Sequence, residues 1–391
     1  MKIAVLGTRG FPNVQGGVEV HCENLYPRLV KRGCEVVVFG RAPYLKNRDS
    51  PIQQGKRHGG TVPIFYKGVK IIPLACPKNK FLEAFVHTFI GIFAAKKLNP
   101  DILHIHAVGP SIMVPLGRLL GMKVVMTHHG PDYERKKWAG PAKAILRMGE
   151  ALGVRCANAV ICISQVIADG VKKKYGRDAV VIPNGVAIPE ILSSEDALRK
   201  YGLEKGRYIL AVGRFVPEKG FGELIEAFEK VGSQESGVGS EWRLVIVGKA
   251  DHEDEYSRSL KEKAAKNPNI VLTGFLSGKP LQELYSHAGL FVLPSYYEGL
   301  PIALLEAMSY GLSCIVSDIP ANREVGLAEN RYFKAGDIES LRRKIKEFIA
   351  SGPLGGQERT GQIKRIAGKY DWDAIAGRTL EVYTSVVRSR E

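Results

Sequence analysis

Short runs rich in valine and isoleucine, each closed by glycine, proline or asparagine, alternate with longer stretches whose apolar residues recur at helical spacing. That alternation predicts parallel β-α-β units. In the first half it predicts strands Ile3–Gly7, Glu35–Phe39, Ile102–His106, Lys123–Thr127, Ala159–Ser164 and Val180–Ile182. Helices are expected between them: Gly17–Arg32, with Val18, Cys22, Leu25 and Leu29 along one face, then Phe81–Leu98, Ile112–Leu120, Ala142–Cys156 and Val166–Tyr175. A second series predicts strands Tyr208–Val212, Arg243–Val247, Ile270–Thr273, Leu290–Leu293 and Cys314–Ser317. Its helices are Gly222–Val231, Tyr256–Asn267, Pro280–His287, Ile302–Tyr310 and Ile338–Ala350. The run Leu244-Val245-Ile246-Val247 is continuously apolar, as a parallel strand buried on both faces requires.

Two doubly wound parallel-sheet domains in tandem follow from this pattern, and 391 residues suffice for both. The junction lies between Pro183 and Gly206, and the expected domains are 1–190 and 191–371, with a last helix in 372–391 packing back on the first. Ser351-Gly352-Pro353-Leu354-Gly355-Gly356 reads as a loop. Apolar residues at 45% and charged residues at 25% exclude a disordered chain. Six cysteines stand singly, without metal or disulfide spacing, and read as core thiols in a reducing cytoplasm. No signal peptide is evident, and Phe81–Ala95, interrupted by Glu83 and His87, is too short to span a bilayer.

Charge adds a locus. Residues 1–190 carry 28 Lys and Arg against 12 Asp and Glu, so the net +16 of the whole chain belongs to the first half. Such a field suits an anionic membrane or a phosphorylated acceptor, or is a plain solvated surface. No nucleic-acid module accompanies it. Helix Phe81–Leu98, flanked by Lys78, Lys80, Lys96 and Lys97, reads either as a surface anchor or as a core helix.

Chemistry concentrates in two segments of the second half. Gly213-Arg214-Phe215-Val216-Pro217-Glu218-Lys219-Gly220 follows a strand, where doubly wound sheets bind ligands. Arg214 offers a bidentate fork for phosphate and Lys219 a point charge, the pair a departing diphosphate needs. Glu298-Gly299-Leu300-Pro301 then leads into a helix carrying Glu306 among Leu304, Leu305, Ala307 and Met308. An acid so placed needs a partner, and the vicinal hydroxyls of a sugar provide one. The amides of Gly299 and Leu300 lie near a helix N-terminus, where they can meet anionic or hydroxylated groups.

This combination, Gly213-Arg214 with Glu218-Lys219-Gly220 and Glu298-Gly-Leu-Pro-x4-Glu306-Ala-Met, resembles GT-B glycosyltransferase family 4 over essentially the whole chain, including Ile182-Pro183-Asn184-Gly185-Val186. The opening Gly7-Thr8-Arg9-Gly10-Phe11-Pro12, Gly16-Gly17-Val18-Glu19 and Thr127-His128-His129-Gly130 resemble a subgroup that includes rhamnosyltransferases of bacterial surface polysaccharides. The resemblance implies two Rossmann-like domains facing a central cleft, closing on a nucleoside-diphosphate sugar with no cofactor and no metal. It implies that Arg214 and Lys219 bind the diphosphate, Glu306 the ribose, and Glu298 with Gly299 and Leu300 the donor sugar. Phe275 and Leu276 would meet the base, and the glycines Gly16 and Gly17 would let a backbone N–H approach the diphosphate. His129 corresponds to the active-site histidine of the family, although strand alternation sends either His128 or His129 to the cleft.

His104 and His106 read as packing, and Asp251-His252-Glu253-Asp254-Glu255 as a solvated face preceding a helix. No Walker loop, nucleophile elbow or zinc-ligand pair is present. The expected activity is retaining transfer of a hexosyl or 6-deoxyhexosyl group, with rhamnosyl a candidate, to a glycan or lipid-linked acceptor. The expected location is cytoplasmic, peripheral at the inner face of the membrane. A nucleotide-sugar epimerase of the same fold and a non-catalytic nucleotide-sugar or polyanion-binding protein are the alternatives, and the oligomeric state stays open.

Overall fold

A computed structural model describes residues 1–45, 53–54, 63–77, 82–134, 140–232 and 241–389. The chain divides into two units, Met1–Gly185 with Trp372–Glu391, and Val186–Asp371, so the boundary falls five residues before the one expected.

In the first unit the strands lie in the order Gln53–Gln54, Ile64–Tyr66, Val69–Leu74, Glu35–Arg41, Lys2–Leu6, Ile102–His106, Val124–His128, Ala159–Cys162, Val180–Val181. From Val69–Leu74 onward the pairing is parallel, with Val5 opposite both Val38 and His104. Ile3, Ala4, Val5 and Leu6 are wholly buried, as strands covered on both faces must be. Helix Gly17–Lys31 lays Cys22, Leu25, Tyr26 and Leu29 on the sheet. Helix Trp372–Arg388 packs beside it and adds Trp372, Ile375, Ala376, Val382, Tyr383 and Val386 to the same core. Each large apolar side chain so buried contributes on the order of 1.5–3 kcal/mol.

The antiparallel hairpin of Ile64–Tyr66 and Val69–Leu74 was not foreseen. Its two-residue turn uses Lys67 and Gly68 at φ of 47° and 84°, the backbone that tight hairpins favour. Helix Glu83–Leu98 joins the core along one face and leaves the other apolar and exposed. It buries His87, Thr88, Gly91, Ile92 and Ala95 and turns Phe85, Phe89, Ile90 and Phe93 outward, each at least 40% exposed. Lys78, Lys80 and Phe81 lie outside the described residues. No helix among the described residues is long and apolar enough to cross a membrane.

The second unit holds a wholly parallel sheet in the order Ile270–Gly274, Arg243–Val247, Tyr208–Val212, Leu290–Leu293, Ser313–Ser317, Tyr332–Phe333. Helix Phe221–Gly232 buries Phe221, Leu224, Ile225, Phe228 and Val231 against it. Helix Gly356–Lys369 was missed because it has no apolar stripe, and Ile366 is its one buried residue.

In each unit two strands distant in sequence become neighbours where the chain order reverses. They are Lys2–Leu6 beside Ile102–His106, and Tyr208–Val212 beside Leu290–Leu293. Doubly wound sheets take their ligands beyond the carboxyl ends of such strands.

Candidate active site

In the second unit the loops leaving the two reversal strands meet through side chains. Lys219 Nζ donates to Glu298 Oε1 at 2.6 Å, and Ser295 Oγ donates to the same oxygen at 2.6 Å. The backbone holds the loops together as well, with Tyr296 N–H donating to Glu218 O at 2.8 Å. Lys219 and Glu298, 79 positions apart, therefore form one cation–carboxylate pair whose side chains are 18% and 11% exposed. That is enclosed enough for directed hydrogen bonds, yet within reach of a ligand.

Arg214 does not join this pair. Its Nη1 donates to Asp251 Oδ2 at 2.8 Å, which holds the guanidinium over the neighbouring strand end. The acidic run thereby gains a structural account. Asp251 holds Arg214, Glu253 pairs with Lys261, and Asp254 caps helix Glu255–Ala265 in a reciprocal box with Ser257. Phe275 and Leu276 follow strand Ile270–Gly274, half-buried, with Lys249 Nζ 5.8 Å from the Phe275 ring centre.

Glu306 sits in helix Ile302–Ser309 and accepts from Tyr285 Oη at 3.0 Å. Tyr285 itself stacks on Tyr310 at 5.1 Å. Loss of solvent around the carboxyl pushes it up to about 7, and the single Tyr285 hydrogen bond only partly opposes that. Leu300 is buried and Pro301 occupies the cap position of this helix, with Gly299 half-buried beside them.

In the first unit the glycine loop is held by an ion pair. Glu19 accepts from the Arg9 backbone N–H at 3.0 Å and from Arg9 Nε at 3.2 Å, while Arg9 Nη2 donates to Gln15 O at 2.5 Å. Burial alone would raise the Glu19 carboxyl, but the Arg9 charge and its hydrogen bonds outweigh it and hold it low. Gly16, at φ 151°, lies where a β-carbon would come within 2.0 Å of Glu19 Oε2, so the clasp requires glycine there. Gly17 opens helix Gly17–Lys31 directly after it.

The structure separates the two adjacent histidines. His128 is locked: Nε2 donates to Glu150 Oε1 at 2.9 Å, and Nδ1 accepts from Gly130 N–H at 3.0 Å. Glu150 also accepts from Tyr133, Lys174 and Tyr175. Burial would raise this carboxyl as well, but the hydrogen bonds from His128, Lys174 and Tyr175 pull it down to about 2. His129 turns the other way, with Nε2 2.9 Å from His106 Nδ1.

His104 and His106 do more than pack. His106 Nε2 lies 2.5 Å from Tyr26 Oη, which is 3.0 Å from His104 Nδ1. His104 in turn bonds Tyr383 Oη at 2.5 Å and Thr127 Oγ1 at 2.7 Å. His21, unremarked in the sequence, stands beside this group with its Nδ1 2.8 Å from Asn184 Oδ1. Its signal was a histidine on the buried stripe of Val18, Cys22, Leu25 and Leu29. Burial pushes His21 down to about 4, and burial with neighbouring imidazoles pushes His106 and His129 well below the ordinary range.

Residues 15–188 match Glycosyltransferase Family 4, and residues 193–366 match Glycosyl transferases group 1. An uncharacterized glycosyltransferase of Methanocaldococcus jannaschii is 27% identical, covering 98% of each chain. The UDP-Gal:α-D-GlcNAc-diphosphoundecaprenol α-1,3-galactosyltransferase of Escherichia coli is 29% identical, over 69% of this chain and 72% of its own. Among solved structures, Anabaena HepE in complex with UDP-glucose superposes with a TM-score of 0.77 at 16% identity, covering 98% of this chain and 100% of that one. With one family matched in each half and a GT-B neighbour aligned from end to end, the chain is a GT-B glycosyltransferase of the group 1 and family 4 type.

Proposed function

We propose that this chain transfers a hexosyl or 6-deoxyhexosyl group, rhamnosyl among the candidates, from a nucleoside-diphosphate sugar with retention of configuration. The acceptor is a glycan or a lipid-linked acceptor in surface-polysaccharide biosynthesis. The observation that carries this reading is the Lys219–Glu298 pair with Ser295, set beyond the strands where the second sheet reverses.

In this reading Lys219 and Arg214 neutralise the diphosphate as the bond to the sugar breaks, and Glu298 with the Gly299 and Leu300 amides holds the sugar hydroxyls. Glu306 accepts from the ribose, and Phe275 with Leu276 borders the base. Gly16 and Gly17, at the start of helix Gly17–Lys31, offer backbone amides to an anionic group. His129, whose Nε2 is committed to His106, offers Nδ1 to the transferred sugar. No residue need act as a strong base if the acceptor hydroxyl attacks on the face the diphosphate leaves. The HepE complex with UDP-glucose supports the donor class, and the name of the Escherichia coli relative supports a lipid-diphosphate acceptor.

A thermal-shift panel of UDP, GDP, dTDP and ADP tests the donor site. One diphosphate should raise the melting temperature in a concentration-dependent way, and Glu306→Ala should abolish the rise. No shift with any of the four would remove the donor site from the second unit.

A lipid-linked acceptor also fits the outer face of helix Glu83–Leu98, where Phe85, Phe89, Ile90 and Phe93 stand exposed before Lys96 and Lys97. Exposed aromatic side chains beside lysines can rest against an anionic bilayer. Sedimentation with phosphatidylglycerol vesicles should capture the protein, and Phe85→Ser with Phe89→Ser should release it. Equal capture of both proteins would exclude this helix as the contact.

A further inference from the structure

His21, His106 and His129 come from three separate parts of the chain. His21 lies in the second turn of helix Gly17–Lys31, His106 ends a strand at the reversal point, and His129 follows the next strand. Their rings form a nearly regular triangle, with centres 5.4 Å apart for His21 and His106, 5.1 Å for His21 and His129, and 5.2 Å for His106 and His129. One ring nitrogen from each can be chosen so that all three lie within 4.8 Å of one another.

Packing alone leaves one of these nitrogens unexplained. The Asn184 carbonyl oxygen can only accept, so His21 carries its proton on Nδ1 and its Nε2 keeps a lone pair. That Nε2 is buried and has no hydrogen-bond partner, on a residue 3% exposed. A buried acceptor left empty is costly, and helix Gly17–Lys31 holds it toward two other imidazoles all the same.

The opposite edges of the rings carry the partners that metal-bound imidazoles use. His21 donates from Nδ1 to Asn184 Oδ1, and His106 meets Tyr26 Oη through Nε2. Such partners fix ring orientation and proton position in histidine metal sites. We propose that His21 Nε2, His106 Nδ1 and His129 Nε2 together bind one divalent transition-metal ion of the zinc class, leaving a fourth position open.

Three imidazoles without a carboxylate select zinc, cobalt, nickel or copper over magnesium and calcium, which require oxygen ligands. The ion takes the place of the hydrogen bond between His106 and His129. The His106 proton then sits on Nε2, donated to Tyr26, and the His129 proton on Nδ1. That last consequence rests on the transferase reading, because it fixes Nδ1–H of His129 as a donor toward the sugar. Occupancy of the site itself does not depend on that reading.

The test uses the full chain stripped with a chelator. Titration with Zn²⁺ by calorimetry should show one ion bound per chain, and Co²⁺ should develop the visible d–d absorption of a four-coordinate site. His21→Gln should weaken binding by about 100-fold or more, and Asn184→Ala by about 10–100-fold through loss of the His21 anchor. Melting curves of the metal-free variants establish that both fold. If a variant fails to fold, the Co²⁺ spectrum of the unaltered protein decides by itself. Absence of one-to-one binding, or of the four-coordinate spectrum, overturns the proposal. So does binding that His21→Gln leaves unchanged, which would move the ion to a surface group such as the exposed His252. Nucleotide binding by the second unit is read separately with the diphosphate panel, so failure here leaves the transferase reading standing.

Discussion

Replacing Lys219 with alanine is expected to lower kcat by two to three orders of magnitude while the protein stays folded. The rate loss follows from removing a fixed cation where the diphosphate gathers charge, an effect of about 2.7–4 kcal/mol on the barrier. The stability loss is much smaller. The Lys219–Glu298 pair is partly exposed and screened, so it contributes about 1 kcal/mol at most, and Glu298 keeps its bond from Ser295. Initial rates with the donor identified by the nucleotide panel, alongside a melting curve, separate the two effects. Turnover within threefold of the unaltered enzyme would remove Lys219 from the diphosphate. Lost turnover with a collapsed melting curve would reduce the pair to a structural clasp.

Glu306→Gln is expected to strengthen the fold and weaken the ligand, each with its own pH dependence. Burial raises the Glu306 carboxyl from 4.5 to about 7. For an acid raised in this way, the folded state is penalised as pH climbs from 4.5 toward 7, and the penalty is complete above that. The shift corresponds to about 3 kcal/mol. The glutamine variant should therefore melt higher at pH 8 without ligand and nearly the same at pH 4. Nucleotide binding should run the other way. Ribose hydroxyls donate to the ionised carboxylate, and charged hydrogen bonds of this kind are worth about 1.5–3 kcal/mol. The ratio of dissociation constants, variant over unaltered protein, should be about 10–100 at pH 8 and fall roughly tenfold by pH 6 as Glu306 takes up its proton. Taking the ratio cancels the titration of the diphosphate itself. A ratio constant with pH would show that Glu306 does not meet the ribose as a carboxylate.

The parts of the fold legible in the sequence are those whose burial is uniform. Leu244–Val247 and Ile3–Leu6 are covered on both faces, so an unbroken apolar run is their only solution. The hairpin at Ile64–Leu74 was hidden because its identity rests on two positive-φ residues, one of them a lysine. Helix Gly356–Lys369 was hidden because capping and polar contacts hold it in place of an apolar stripe. At the candidate site, residues with a charge to neutralise announced themselves: Lys219, Glu298 and Glu306 stand in apolar or glycine-rich surroundings where an ion needs a reason. The Arg214–Asp251 bond and the split between His128 and His129 were illegible, since each depends on what a neighbouring element brings. Glu150 settles the second, and it lies 22 positions from His128, on helix Gly140–Cys156.

The division of the first unit, with residues 1–185 completed by the helix Trp372–Arg388, has a consequence for synthesis. A ribosome delivers every strand of the second unit before it delivers that helix. While Val186–Asp371 is being made, the earlier sheet waits without Trp372, Ile375 and Tyr383, its apolar flank uncovered beside helix Gly17–Lys31. Domains generally fold as they emerge, but here the unit translated first is the one finished last. The nascent chain must therefore shelter the unfinished face for as long as about half the protein takes to translate.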